Sequence, residues 1–239
     1  MTRLFNGIVA FGSALLLAVT LIGSGFAAVA IPDAATATLS RAFSGCDQPN
    51  TPFTADELSS MAIAGKHYTF DDNDREKLNA AIAEANDSAE ADGRASALSR
   101  GSAARTLPAD AISHLDDVYR VASVAKPALV IVSVICIAGL AHVAVRINRR
   151  ALGRTLMAGG GLVLAAFCAL GVWAAIDFDG LFAAFHSLFF QAGTWTFPYD
   201  SLLITLYPTA FWMGMGGIWL AVTCIASIIC IIVGRLLCS

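Results

Sequence analysis

The sequence predicts a mainly α fold: a four-transmembrane-helix bundle capped by a small extracytoplasmic domain, with an interfacial or re-entrant aromatic segment before the last span. Three observations predict it. Hydrophobic residues make up 57% of the 239 positions and charged residues only 14%, too few charges to coat a soluble surface unless they are gathered in one part of the chain. Four stretches are long and apolar enough to cross a bilayer, which needs roughly 20 such residues per helix. The carboxylates are also confined to the two longer connections, while the short link between the second and third spans carries arginines and no acid.

The first span is predicted at 6–31. Arg3 precedes it and "AVA" at Ala28–Ala30 resembles a cleavage site, but the apolar run from Gly7 to Ile31 is well beyond the roughly 7–15 residues of a signal-peptide core, so it reads as a retained anchor. Residues 32–126 form the predicted extracytoplasmic domain. There "TADELSSMAIA" opens with a capping box, Thr54 with Glu57, and predicts a short helix. "NDREKLNAAIAEAN" repeats the signal with Asn73 and Glu76. Asp87 to Arg105 has almost no large apolar residue and is expected to be a mobile, exposed loop.

"LPADAISHLDDVYRVASVAKP" then places Ile112, Leu115, Tyr119 and Ala122 in a buried helical stripe, with His114, Asp117 and Val121 on an adjacent face. It leads into the second span, predicted at 127–145. The link 146–154, "RINRRALGR", holds Arg146, Arg149, Arg150 and Arg154 and no acid. The third span is predicted at 155–176, where Gly159–Gly161 suit close helix packing.

Residues 177–207 are too polar to span and too apolar for an ordinary loop. "GLFAAFHSLFFQ" on a helix puts Phe182, His186, Phe189 and Phe190 on one face. Trp195, Phe197 and Tyr199 follow, of the type that favours a membrane–water interface, while Gly193 and Pro198 argue against one continuous helix. The fourth span is predicted at 208–233. Every carboxylate lies between Asp33 and Asp117 or at Asp177, Asp179 and Asp200, whereas Arg3, the arginine link and Arg235 flank the other ends. The positive-inside rule therefore puts both termini in the cytoplasm and 32–126 and 177–207 outside.

Cysteines add little. Cys136, Cys168, Cys224 and Cys230 fall in spans, Cys238 is cytoplasmic, and Cys46 is alone outside, so no intramolecular disulfide supports the outer domain. "FSGC" before Asp47 has no apolar run directly ahead of it and is not read as a lipid-attachment box.

Of the four histidines, His142 reads as a bundle contact and His67, in "GKHYTF", as a surface residue. His114 and His186 differ, because both belong near the same interface. Each is accounted for as a structural histidine satisfied by hydrogen bonds, yet burying imidazole among apolar rings is costly without a partner. Two histidines with Asp117 or Asp200 lack the local spacing of a zinc motif, so no metal is assigned. There is no G-x-S-x-G nucleophile elbow and no nucleotide-binding pattern. A transporter expects ionisable groups within spans, and here the acids lie outside them. Acid–base work by a histidine pair remains, since imidazole titrates near neutrality.

At these residues the chain resembles the bacterial lipoprotein intramolecular transacylases (Lit-type). The resemblance rests on "HLDDV", with His114, Asp117 and Val118. It continues with Phe185-His186, Phe189-Phe190, Trp195 and Phe197, Asp200 with Leu203-Ile204, and Pro208 with Phe211-Trp212. The four-span layout matches as well, and the match near Tyr68 is looser, with His67 in the preceding position. Two departures stand out: Thr69–Pro108 is long and polar, and "QAGTW" stands where many members carry an Asn-Asp ahead of the Trp.

The resemblance implies an integral membrane acyltransferase of the bacterial cell envelope, acting at the outer face of the cell membrane on diacylglyceryl-modified lipoproteins. It would move the sn-2 acyl chain to the α-amine of the N-terminal cysteine and form N-acyl lyso-lipoprotein. No cofactor is implied and no nucleic acid partner; membrane lipid is one, and oligomeric state is left open. The implied catalytic residues are His186 as general base and His114 as its partner, polarising the ester or protonating the leaving oxygen, or with these roles exchanged. Asp117 would support the histidine. Tyr68, Phe182, Phe189, Phe190, Trp195, Phe197 and Asp200 would bind substrate. The alternatives are a non-catalytic four-span scaffold or lipid-binding protein, and a water-using lipid esterase.

Overall fold

The computed structural model describes residues 2–95 and 101–239. Regular structure among these is helical throughout: α1 (Thr2–Ala30), α2 (Asp33–Phe43), α3 (Ala55–Phe70), α4 (Arg75–Ala91), α5 (Ala109–His142), α6 (Arg149–Ile176), α7 (Phe178–Ser187), α8 (Leu202–Leu206) and α9 (Thr209–Cys238). A π-helical stretch, Val143–Ile147, follows α5. The chain divides into two compact units: a span unit of Met1–Val29, Ala125–Leu181 and Gly217–Ser239, and a connecting unit of Ala30–Val124 and Phe182–Gly216.

The helices long and apolar enough to cross a membrane, among the described residues, are Arg3–Ala30, Ala109–Ile147, Arg149–Ile176 and Thr209–Cys238. Each overlaps one predicted span; the first ends at Ala30, one residue short of the expected Ile31, and the last begins at Thr209, one residue after the expected Pro208. Large apolar side chains such as Ile8, Phe11, Val130, Ile137, Ile228 and Ile229 stand exposed on their outer faces, the surface a bilayer would cover.

With lipid outside, the span helices gain little by hiding apolar area from one another, so backbone proximity must hold them. Glycine supplies it. A Cβ on Gly159 would lie 2.8 Å from Leu17 and 2.9 Å from the Ala14 carbonyl oxygen of α1, and one on Gly160 would lie 2.7 Å from the Ser227 carbonyl oxygen of α9. Adjacent glycines of α6 thus seat two different helices. A Cβ on Gly153 or Gly234 would lie 2.4 or 2.5 Å from the other's carbonyl oxygen, so α6 and α9 meet backbone to backbone. Trp219 stacks edgewise on Phe167 at 5.2 Å and on Phe26 at 5.7 Å, and its Nε1 donates to the Ile22 carbonyl at 3.0 Å. His142 makes its ring contact with Phe5 at 5.8 Å, the bundle contact expected of it.

The connecting unit has a core of its own. Leu58, Met61 and Tyr68 of α3, Leu78 and Ile82 of α4, Ile112 and Leu115 of α5, and Leu202 and Leu206 of α8 are buried together. Of the expected α5 stripe, Ile112, Leu115 and Ala122 are buried and Tyr119 is half-buried. The α3 capping box forms: Thr54 accepts from the Glu57 amide while its own amide donates to the Glu57 carboxylate at 2.7 Å. Burial raises the Glu57 carboxyl, but Arg94 and Thr54 outweigh it and hold it down to about 2.

Several expectations for this unit need correction. Helix α3 continues to Phe70, because Lys66 is buried with its ammonium donating to the Ile31 carbonyl and Asp33, and His67 pairs with Asp71 and Asp33. The cap of α4 is Asp74, accepting from the amides of Glu76 and Lys77. Asn73 instead takes φ 54° and turns its amide toward Asp116. The stretch from Asp87 to Arg105 is only in part an exposed loop where it is described: α4 reaches Ala91 and Arg105 is 2% exposed, while Asp92, Gly93, Gly101 and Ala103 are exposed outside the helix. The Arg105 guanidinium donates to Asn86 at 2.6 Å and Glu90 at 2.7 Å, so paired polar groups do the work of the missing apolar ones. Residues 96–100 of that stretch lie outside the described residues. Helix α2 had no counterpart among the expected elements.

Replacing Gly160 with Leu is expected to destabilise the span unit by about 1–3 kcal/mol, the usual cost of overpacking. Gly161→Leu meets open space and is expected to cost far less. Thermal melts of the two variants in detergent check the contrast.

Candidate active site

The site assembles within the connecting unit, from the first turns of α5 and the segment that begins in α7. Asp110 bonds the Ala111 amide at the start of α5, and His114 follows one turn later, 9% exposed. This part of α5 carries Asp110, Asp116, Asp117, Arg120 and Lys126. Such charges are costly in hydrocarbon, so the membrane-spanning part of the helix begins after them and His114 lies outside it.

In α7 the ring of His186 stacks over Phe182 at 4.0 Å, and its Nδ1 lies 2.8 Å from the Phe182 carbonyl oxygen. A carbonyl can only accept, so Nδ1 carries a proton and donates it. Neutral His186 therefore presents a lone pair at Nε2. The expected helix through Phe189 and Phe190 stops at Ser187. The amides of Phe189 and Phe190 both fold back on the His186 carbonyl, at 3.1 and 2.9 Å, and Gly193 turns the chain at φ 87°. That turn returns Trp195 onto His186 at 4.8 Å.

The two histidines come together, ring centroids 6.2 Å apart and 30° from parallel. Phe190 lies 5.0 Å from His114 and 5.7 Å from His186, and Phe197 is 5.6 Å from His114. Phe185 adds an edge contact to His186 at 5.7 Å. Of the candidate residues, Phe182, Phe190, Trp195 and Phe197 thus enclose the pair.

The others sit elsewhere. Phe189 is 49% exposed and meets Phe185 and Phe190 rather than a histidine, because the helix ends before it. Asp117 donates no support through a hydrogen bond to His114; its carboxylate accepts from Arg120 at 2.7 Å. Tyr68 is buried in the core, and its hydroxyl donates to Asp116 at 2.5 Å. Asp116 was not singled out in "HLDDV", although it, and not Asp117, ties α5 to α3. Asp200 is exposed in the turn before α8.

Burial, helped by the neighbouring His186, holds His114 down to about 4, with the Asp117 charge opposing weakly. Burial lowers His186 as well, against the bond to Phe182. The pair is thus kept neutral near pH 7. His114 Nδ1 and Trp195 Nε1 are buried without a partner, whereas buried polar atoms are normally satisfied. Among the described residues His114 Nδ1 thus lacks the hydrogen bond that a structural histidine would make. The arrangement offers a proton acceptor at His186 Nε2, an imidazole beside it, and walls of aromatic rings, which is what proton transfer at a lipid-borne group requires.

Residues 90–212 match a family model described as Lipoprotein intramolecular transacylase Lit. Among solved structures the fold is similar to an in meso structure of the membrane integral lipoprotein intramolecular transacylase Lit from Bacillus cereus. The TM-score is 0.71, with 18% identity covering 98% of this chain and 95% of that one. Two histidine-substituted forms of that protein are also similar. The arginine variant gives a TM-score of 0.66 at 17% identity, covering 99% of this chain and 93% of that one. The alanine variant gives 0.69 at 17%, covering 99% and 94%. A search of curated proteins gives no match.

The buried histidine links stability to pH. Unfolded histidine titrates near about 6.5 and folded His114 near about 4. Between these values the unfolded chain binds more protons, so stability rises with pH across that window and falls as pH drops through it. Thermal melts at pH 4.5 and 7 are expected to show this loss, and His114→Asn to show a smaller one.

Proposed function

The chain belongs to the lipoprotein intramolecular transacylase family, and on that footing we propose that this membrane-integral acyltransferase moves the sn-2 acyl chain of a diacylglyceryl-modified lipoprotein to the α-amine of its N-terminal cysteine by histidine acid–base catalysis. The observation that carries this reading is the pair itself: two neutral imidazoles 6.2 Å apart inside an aromatic enclosure, with no carboxylate bonded to either.

The reaction balances on one proton. The amine nitrogen, as the neutral base, attacks the ester carbonyl carbon, and His186 Nε2 takes the proton that the nitrogen sheds. The tetrahedral oxyanion collapses, the bond from carbonyl carbon to glyceryl oxygen breaks, and the imidazolium returns its proton to that oxygen. An amide replaces an ester, and both acyl chains stay on the molecule.

Each geometric feature supports a step. The Phe182 carbonyl fixes His186 in the tautomer with a free Nε2. His114, held down to about 4, remains neutral at working pH and polarises the ester oxygen through an N–H, as a neutral imidazole can. Asp117, engaged by Arg120, acts on His114 only through its charge. Phe182, Phe190, Trp195 and Phe197 exclude water and favour aminolysis over hydrolysis. Amine and ester on one molecule make the step unimolecular, for which effective molarities reach about 10⁵–10⁸ M. The arginine link and acid-rich connections support a site at the outer face, where Leu188 and Tyr199, both largely exposed, would meet lipid.

Mass spectrometry of a reporter lipopeptide tests this in cells whose lipoproteins otherwise keep two ester chains and a free amine. Expression is expected to leave total lipid mass unchanged and move one chain to the cysteine nitrogen. His114→Ala and His186→Ala are each expected to lower the product by about 10²–10⁴-fold at wild-type protein levels. Loss of one chain's mass would identify an esterase, and full yield from either variant would remove the pair from the mechanism.

A pH–rate profile supplies a second check. The neutral imidazoles are the working forms and their pKa values are lowered, so once the rate is corrected for the fraction of neutral substrate amine, which falls below a pKa of about 8, the remaining acid limb lies below the ordinary imidazole value of about 6.5. A corrected acid limb centred at or above that value would contradict this.

A further inference from the structure

One cleft of the connecting unit borders the histidine enclosure without belonging to it. It lies between α5 and the turn after α7, lined by Asp117, Arg120 and Val121 on one wall and Phe189, Phe190, Gln191 and Thr194 on the other, with a volume of about 430 Å³. Phe190 is shared: one ring faces His114 at 5.0 Å and also lines the cleft. A substrate group seated here is therefore one ring's width from the reacting atoms.

The lining does not suit an acyl chain. Asp117 and Arg120 form an ion pair whose side chains are 34% and 74% exposed, so each keeps hydrogen-bonding capacity toward a ligand. Gln191 is exposed, and its side-chain amide has no hydrogen bond among the described residues. Thr194 is turned so that its hydroxyl donates to the Gln191 carbonyl at 2.9 Å, leaving its oxygen free to accept. Together these present donors and acceptors of both signs along one edge, with Val121, Phe189 and Phe190 as an apolar floor. That mixture complements a peptide backbone with small side chains. The volume falls toward the small end of the roughly 300–1,000 Å³ typical of ligand clefts, which fits two or three residues and excludes a folded domain.

We propose that the cleft between Arg120 and Gln191 binds the peptide that follows the lipidated cysteine, so that the enzyme reads the first residues of its lipoprotein as well as the lipid. The proposal rests on the transacylase reading above. A lipidated cysteine with its amine at His186 must lead its carboxyl side away from the aromatic enclosure, and this polar-edged cleft adjoins that enclosure through Phe190. Arg120 donates to peptide carbonyl groups, Gln191 pairs with the backbone in both directions, and Asp117 holds Arg120 in place. Basic residues just after the cysteine are disfavoured, since they would meet the Arg120 guanidinium.

The test compares two synthetic substrates in detergent: a diacylglyceryl-cysteinyl pentapeptide with Ser and Gly after the cysteine, and diacylglyceryl-cysteine methylamide, which has no peptide. The readout is the ratio of kcat/KM for the first to kcat/KM for the second. Arg120→Ala and Gln191→Ala are each expected to lower that ratio about tenfold, the loss of one strong hydrogen bond, mainly through KM. Arg120→Lys is expected to recover part of it. Melting temperatures within the wild-type range show that the variants fold. An unchanged ratio in both variants overturns the proposal, and so does an equal fall on both substrates, which would place a lipid group in the cleft. Wild-type enzyme that turns over neither substrate would overturn the transacylase reading, and this proposal with it.

Discussion

The site depends on one constraint, the desolvation of two imidazoles. Phe182, Phe190, Trp195 and Phe197 crowd His114 and His186 and offer no carboxylate. Charging either ring there is costly, and burial is the first cause lowering both. In the reaction proposed above, the same scarcity of water that keeps the imidazoles neutral would also favour aminolysis over hydrolysis. A carboxylate bonded to His114, the arrangement that the neighbouring Asp117 suggested, would raise its pKa and work against both effects. Arg120 instead takes that carboxylate.

The enclosure is built from backbone turns as much as from side chains. Helix α7 ends at Ser187, and the amides that follow bond back to Phe185 and His186. Had the helix continued, Phe189 and Phe190 would share one stripe with His186. The turn separates them, so that Phe190 reaches both the histidines and the neighbouring cleft while Phe189 lines the cleft alone. On the other side, Tyr68, Asp116 and Asn73 form a hydrogen-bonded cluster joining α3 to α5. It fixes the helix that carries His114 without touching the imidazole, a positioning task performed by a residue two places along the chain.

Two kinds of packing support this arrangement. In the span unit, glycine removes side chains so that α6 meets α1 and α9 at backbone distance, because in lipid there is little apolar area to gain by burial. In the connecting unit an ordinary apolar core is supplemented by buried pairs such as Arg105 with Asn86 and Glu90 and Arg94 with Glu57. A segment poor in large apolar residues is thereby ordered where composition alone indicates a loop.

Four spans, the close packing at Gly159 and Gly160, the Thr54 cap and the nearness of His114 to His186 were all legible in the chain. Each is a local or periodic property: a run of apolar residues, a fixed cap spacing, an ionisable group where few belong. The missing α2, the shift of the α4 cap from Asn73 to Asp74, the burial of Arg105 and the end of α7 at Ser187 were not legible. Each depends on a partner distant in sequence or on competition between nearby polar groups. The sequence by itself determined which stretches are apolar and long enough to cross a bilayer and where the ionisable groups stand along the chain, because those follow from composition and period. Only the tertiary structure decided that the two imidazoles share one aromatic enclosure, that Asp117 serves Arg120 and Asp116 serves Tyr68, and that Phe190 but not Phe189 reaches the histidines. Those outcomes are set by which groups meet in three dimensions, and by which hydrogen bond is the better one when two are possible.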